Sequence, residues 1–251
     1  MSVLAYLKYP LWTAREYVVA PRRALRNTWL AFLIFWRVIY ICLIRGVTRT
    51  LKRHKDDWPE RTRGRYIWRV AQKFWAQWSL EKLGVQVSHS GSEHVDWSRP
   101  HIIVANHGSA LDTLLVIALV PNGRFVAKKE TSWIPVFGRA VRFGGQIVVD
   151  RKNHEQAMFA VRDGKLQPFK RGAFVMARDT GIPILPIAIS GSFEALPKGS
   201  LLRFVKNPRI SVVFGSEILV SPHALVDDIA SETRHQIKRL LGRAERLRLA
   251  S

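Results

Sequence analysis

Residues 102–120 spell out a strand, a turn and a helix, and that order narrows the fold more than any other stretch of the chain. Ile102-Ile103-Val104-Ala105 is apolar throughout, as a strand buried on both faces is. A second apolar run extends from Leu114 to Val120. Between the two lies Asn106-His107-Gly108-Ser109-Ala110-Leu111-Asp112. A strand ending at Asn106 and a helix beginning near Ser109 place His107 at the carboxyl end of a buried strand. Open α/β sheets hold their ligands at such ends.

Two readings of Asp112 follow from the spacing. A carboxylate five residues after His107 can orient the imidazole, leaving it suited to take a proton from a hydroxyl near neutral pH. Equally, Ser109-Ala110-Leu111-Asp112 fits the S-x-x-D start of a helix, with Ser109 capping forward and Asp112 capping back.

Apolar runs of strand and helix length alternate from Val85 onward. Val85-Gln86-Val87, Ile102–Ala105, Arg124–Ala127, Ile147-Val148-Val149, Ile184–Ile189 and Ile210–Phe214 read as strands. Ala110–Val120, a segment around Ile134–Val141, Asn153–Val161 and Lys170–Arg178 read as helices, the last stopped by Gly181. The tail Ser231–Leu249 reads as a basic amphipathic helix, and the expectation is that it docks on the sheet. The pattern predicts an α/β domain over residues 85–251, with a mixed central sheet flanked by helices.

Residues 1–84 differ in texture. The apolar stretch Trp29–Ile44 is interrupted once, by Arg37, and flanked by Arg26 and Arg45. As a helix it spans roughly 24 Å, short of the ~30 Å hydrocarbon core. It suits a monotopic helix in one leaflet, then a tilted single span, then a buried soluble helix. Tyr66–Leu83 is a second amphipathic pattern, ended by Gly84. No small-residue cleavage site follows a clean apolar segment, so a cleaved leader is not expected.

Charge narrows the partners. Forty Lys and Arg against nineteen Asp and Glu give a formal net charge of +21, which favours polyanionic surfaces. The nine tryptophans include Trp12, Trp29, Trp36, Trp58, Trp68, Trp75 and Trp78. Tryptophan among basic residues in this region suits an anionic membrane surface. No zinc-finger, RNP or helix-turn-helix pattern occurs, so nucleic acid is not an expected partner. The single cysteine, Cys42, builds no disulfide framework, and the eight histidines show no metal-ligand spacing, so no metal is expected.

The order of motifs resembles the glycerolipid acyltransferases, in particular the 1-acyl-glycerol-3-phosphate acyltransferases. Asn106-His107 with Asp112 matches the N-H-x-x-x-x-D box. Gly145-Gln146-Ile147-Val148-Val149-Asp150-Arg151 is similar to the G-x-I-F-I-D-R box. Phe169-Lys170-Arg171-Gly172 and Ile182-Pro183-Ile184-Leu185-Pro186 resemble the F-K-x-G segment and the V-P-I-V-P strand. The matches cover about residues 100–215, in the family's order.

The resemblance implies a glycerol-3-phosphate acyltransferase-like sheet behind membrane-associated N-terminal helices. It implies transfer of an acyl group from acyl-CoA or an acyl carrier protein to lysophosphatidic acid, making phosphatidic acid at the cytoplasmic face of a membrane. It implies no cofactor beyond that acyl donor. His107 would be the base and Asp112 its orienting partner. Arg151 would hold the substrate phosphate; the alternative is a surface ion pair with Asp150. Lys128 or Lys129 would meet the acyl carrier, or be solvated. Asn106, Gly108, Ser109 and Lys170 complete the implied substrate-binding set.

One departure stands out. The family's E-G-T-R segment, expected between the D-R box and the F-K-x-G segment, has no counterpart in Lys152–Pro168. By that resemblance, its loss would remove a strand and two charged phosphate ligands. A family member that binds anionic lipid without turnover is therefore the alternative reading.

Overall fold

The computed structural model describes residues 72–73, 75–121, 123–128, 146–149, 161–162, 165–166, 171–197 and 204–250, and the helical positions 22, 25, 26, 29, 32, 33 and 36. The chain divides into two compact units, Met1–Leu83 with Thr113–Asn153, and Gly84–Asp112 with His154–Ser251.

The second unit is built on a four-stranded mixed sheet. Its strands are β1 (Gln86–Ser90), β2 (Ile102–Ala105), β7 (Ile184–Ser190) and β8 (Arg209–Phe214), in the spatial order β1-β8-β7-β2. β1 runs parallel to β8 with Gln86 opposite Arg209, and β2 runs parallel to β7 with Ile102 opposite Ile184. β7 and β8 are antiparallel, Ile187 facing Phe214. β7 lies inside the sheet, and Ile184 to Ile189 are all buried. That burial explains its near-continuous apolar sequence.

Helices α2 (Gly172–Thr180) and α4 (Val226–Ala250) pack on this sheet. Phe174 and Ala177 of α2 join Val104, Ile184, Ile218, Val226, Ile229 and Ile237 in one core. Leu240 and Ala244 of α4 meet Ala188 and Val213 in another. The buried positions 226, 229, 233, 237, 240 and 244 recur every three or four residues, the apolar stripe of a helix docked on one side. Docking of the tail on the sheet thus matches the sequence expectation. The helix begins five residues earlier than predicted, because Val226 and Ile229 enter the core and Asp227 and Asp228 favour its first turn. At the start of β2, Glu217 receives Arg99 and, at 2.7 Å, the buried ring of His101.

Two short strands correct the sequence reading. Val161, expected at the end of a helix, belongs to β5 (Val161–Arg162), which pairs antiparallel with β6 (Lys165–Leu166). The rest of the expected helix, residues 153–160, lies outside the described residues, as does the one expected at 134–141.

In the first unit, β3 (Val126–Lys128) runs parallel to β4 (Ile147–Val149). Residues 75–82 are helical, with Ala76 and Leu80 buried, and Gly84 follows at φ 67°. The left-handed region suits glycine and stops the helix where the sequence indicated. Leu25, Trp29, Phe32 and Trp36 are exposed at helical spacing, and the ring of Phe32 stacks on Trp29 and Trp36 at 5.7 and 5.8 Å. Among the described residues no helix is long and apolar enough to cross a membrane. Most of Trp29–Ile44, and Tyr66 to Ala71, lie outside the described residues.

Candidate active site

The turn between β2 and α1 (Ala110–Leu119) carries the candidate base. His107 Nδ1 lies 3.1 Å from Asp112 Oδ2. A carboxylate only accepts, so this hydrogen bond needs the proton on Nδ1 and leaves Nε2 with a free lone pair. The imidazole is partly exposed, at 22%, while the Asp112 side chain is 4% exposed. A buried orienter and an accessible ring are the arrangement that general-base chemistry requires.

The same Asp112 oxygen accepts the main-chain N–H groups of Gly108 and Ser109, each at 2.8 Å. Ser109 Oγ accepts the N–H of Leu111 at 3.1 Å. Together these form the reciprocal capping box read from the sequence. The structural and chemical readings of Asp112 describe one carboxylate doing both. Asp112 Oδ1 is buried and has no hydrogen-bond partner among the described residues.

Asn106 and Ser109, on either side of His107-Gly108, face inward. Asn106 Nδ2 donates to Ile189 O at 2.7 Å, and Ile189 N donates to Asn106 Oδ1 at 2.8 Å. Ser109 Oγ donates to Leu196 O at 2.8 Å, and Ser109 bridges Pro197. Gly108 is buried and contributes its main-chain N–H. The turn is therefore moored at both ends to residues 189–197.

That segment has an anchor of its own. Gly191 sits at φ 88° and opens the short helix α3 (Ser192–Ala195). A Cβ there would collide with the carbonyl of Arg209 and the side chain of Arg248. Ser190 Oγ donates to Glu245 on α4, and Arg248 grips the same carboxylate through two nitrogens. The Arg248 guanidinium, and secondarily the Ser190 hydroxyl, hold the Glu245 carboxyl down at about 2. None of these partners carries a sequence signal, since each lies tens of residues from the turn it supports.

Of the other expected site residues, Lys128 ends β3, with only its main chain described. Arg151 and Lys170 lie outside the described residues. Among the described residues no cluster of His, Cys, Asp or Glu has the geometry of a metal site.

The comparisons with known proteins point the same way. The family model described as Acyltransferase matches residues 86–162, from β1 through the His107 turn to β5. A 1-acyl-sn-glycerol-3-phosphate acyltransferase of Limnanthes douglasii is 30% identical over 141 residues, 47% of this chain and 50% of its own length. The human 1-acyl-sn-glycerol-3-phosphate acyltransferase alpha is 33% identical over 132 residues, 43% of this chain and 46% of its own.

Over residues 86–162 the chain is similar to that family.

It spans about half the length of these curated relatives. The crystal structure of the 1-acyl-sn-glycerophosphate (LPA) acyltransferase PlsC of Thermotoga maritima shares the fold, with a TM-score of 0.71 at 21% identity. The superposition covers 89% of this chain and 98% of the other. The mixed α/β architecture expected from the sequence, a sheet flanked by helices, is thus shared with that structure.

Proposed function

We propose that this chain is a lysophospholipid O-acyltransferase that makes phosphatidic acid from lysophosphatidic acid and an acyl thioester. The observation carrying the reading is the 3.1 Å contact between Nδ1 of the partly exposed His107 ring and the buried Asp112, which leaves Nε2 as the base. Nε2 takes the proton of the substrate hydroxyl as its oxygen bonds to the thioester carbonyl carbon. The tetrahedral adduct collapses, the C–S bond breaks, and the imidazolium returns the proton to the departing thiolate. Asp112 stabilises the imidazolium between these steps. The nucleophile belongs to the substrate, so the enzyme needs no serine of its own.

In this reading Arg151 and Lys170 hold the phosphate, Lys128 faces acyl-CoA or an acyl carrier protein, and the enzyme works on the cytoplasmic leaflet. The net charge of +21 and the exposed stripe of Leu25, Trp29, Phe32 and Trp36 support an anionic membrane as its setting.

A second reading rests on Lys152–Pro168, where no E-G-T-R-like segment occurs. A chain lacking those phosphate ligands would bind anionic lipid without turnover. Radiolabelled acyl-CoA and lysophosphatidic acid, resolved by thin-layer chromatography, separate the two. Phosphatidic acid formed by the parent and abolished in His107→Ala supports the transferase. No product, with salt-sensitive vesicle binding, supports the binding protein.

A further inference from the structure

The β2–β7 ladder ends with Ala105 opposite Ile187, yet β7 continues to Ser190 and pairs there with β8 on its other side. Beyond Ile187, the edge of β7 that faces β2 needs a partner. Ile189 is 2% exposed, and an unpaired main-chain group at such depth is costly. The Asn106 carboxamide supplies both bonds, donating to Ile189 O and accepting from Ile189 N. A planar side chain with one donor and one acceptor reproduces what a strand residue's main chain would offer. The main chain after Ala105 is thereby free to leave the sheet.

We infer that Asn106 is a positioning residue: its carboxamide replaces the main chain of β2 against Ile189 and so turns His107 out of the sheet toward Asp112. Its catalytic consequence rests on the acyl-transfer reading above. Asn106 itself touches no reacting atom. Aspartate has the same shape but sets a carboxylate oxygen against the Ile189 carbonyl, and alanine removes both bonds. In either case the 106–108 main chain is drawn toward the unpaired edge and the His107–Asp112 hydrogen bond lengthens.

The test uses the full chain with ¹⁵N-labelled histidine. The ring nitrogens of His107, assigned by comparison with His107→Ala, are followed in the parent, Asn106→Asp, Asn106→Ala and Ser211→Ala. The last is a control for burial alone, because Ser211 Oγ bonds Ala244 O and plays no part in the turn.

The parent and Ser211→Ala should show one tautomer, protonated at Nδ1, while the Asn106 variants show a mixture. Where acyl transfer is measurable, the Asn106 variants should lose kcat by about 100-fold with KM changed less than about threefold. Parent-like ring nitrogens in a folded Asn106 variant, or an equal change in Ser211→Ala, would overturn the inference. Should neither Asn106 variant fold, hydrogen exchange of the parent's Asn106 side-chain amide decides it. Protection matching the Ile189 amide supports the inference, and exchange at the free rate defeats it. If the parent makes no product, the transferase reading falls while the ring-nitrogen result still judges the positioning.

Discussion

Asp112 Oδ2 is shared between His107 Nδ1, at 3.1 Å, and the N–H of Ser109, at 2.8 Å, so one oxygen orients the imidazole and starts the helix. Removing it should therefore cost both activity and stability. Asp112→Ala is expected to lower kcat by a factor of about 10³ or more and to destabilise the fold by about 1 kcal/mol through the lost cap. His107→Ala should abolish turnover with little change in Tm. Activity assays paired with thermal unfolding check the contrast. Equal Tm losses in the two variants would contradict a capping contribution of Asp112 beyond its bond to the imidazole.

Glu245 gives a pH signature. Its carboxyl sits at about 2 when folded, against 4.5 unperturbed, because Arg248 and Ser190 stabilise the anion. A depressed folded value means that the bound form contributes fully above pH 4.5. The contribution fades as pH falls from there toward 2, where the folded carboxyl also takes up its proton. The side chain is 43% exposed, so solvent screening limits the effect to about 1 kcal/mol. Urea unfolding from pH 6 to 2.5 should show Glu245→Gln losing its deficit against the parent toward the acid end. A deficit constant across that range would contradict the assignment.

Trp29, Phe32 and Trp36 are exposed and stack on one another along a helix. Replacing Trp29, Phe32 and Trp36 together by serine should leave Tm nearly unchanged while weakening partition onto phosphatidylglycerol vesicles by roughly tenfold per ring. Co-sedimentation with the vesicles measures it. Undiminished binding would place the contact elsewhere on the basic surface.

Ile237 is fully buried between α4, α2 and the sheet. Ile237→Ala should cost about 3 kcal/mol, read as a lowered denaturation midpoint at unchanged slope. Leu249 lies on the same helix but is 69% exposed, so Leu249→Ala should fall within about 0.5 kcal/mol of the parent.

Much of the frame is legible in local composition. Ile102–Ala105, Ile184–Ile189 and Ile210–Phe214 announce themselves as apolar runs bounded by turn residues, and each is a strand. Gly84 and Gly181 mark helix ends where the chain enters the left-handed region. Val161 misled because an amphipathic stretch can satisfy a helical period, whereas its pairing with Leu166 depends on a neighbour that periodicity does not report. The start of α4 was hidden for a related reason. Asp227 and Asp228 look like loop residues until Val226 and Ile229 are seen in the core.

The sequence by itself placed a histidine and a carboxylate five residues apart at a strand end, and left open whether the carboxylate would serve the imidazole or the helix start. It also carried the resemblance to the acyltransferases, through motifs whose residues are neighbours along the chain. Only the tertiary structure decided what holds that turn open. Asn106 finds Ile189 and Ser109 finds Leu196 across more than eighty residues, while Ser190 finds Glu245 across 55. Such pairings arise when strands and helices pack and buried polar groups must find partners within reach. No local pattern in the chain encodes which partner that will be.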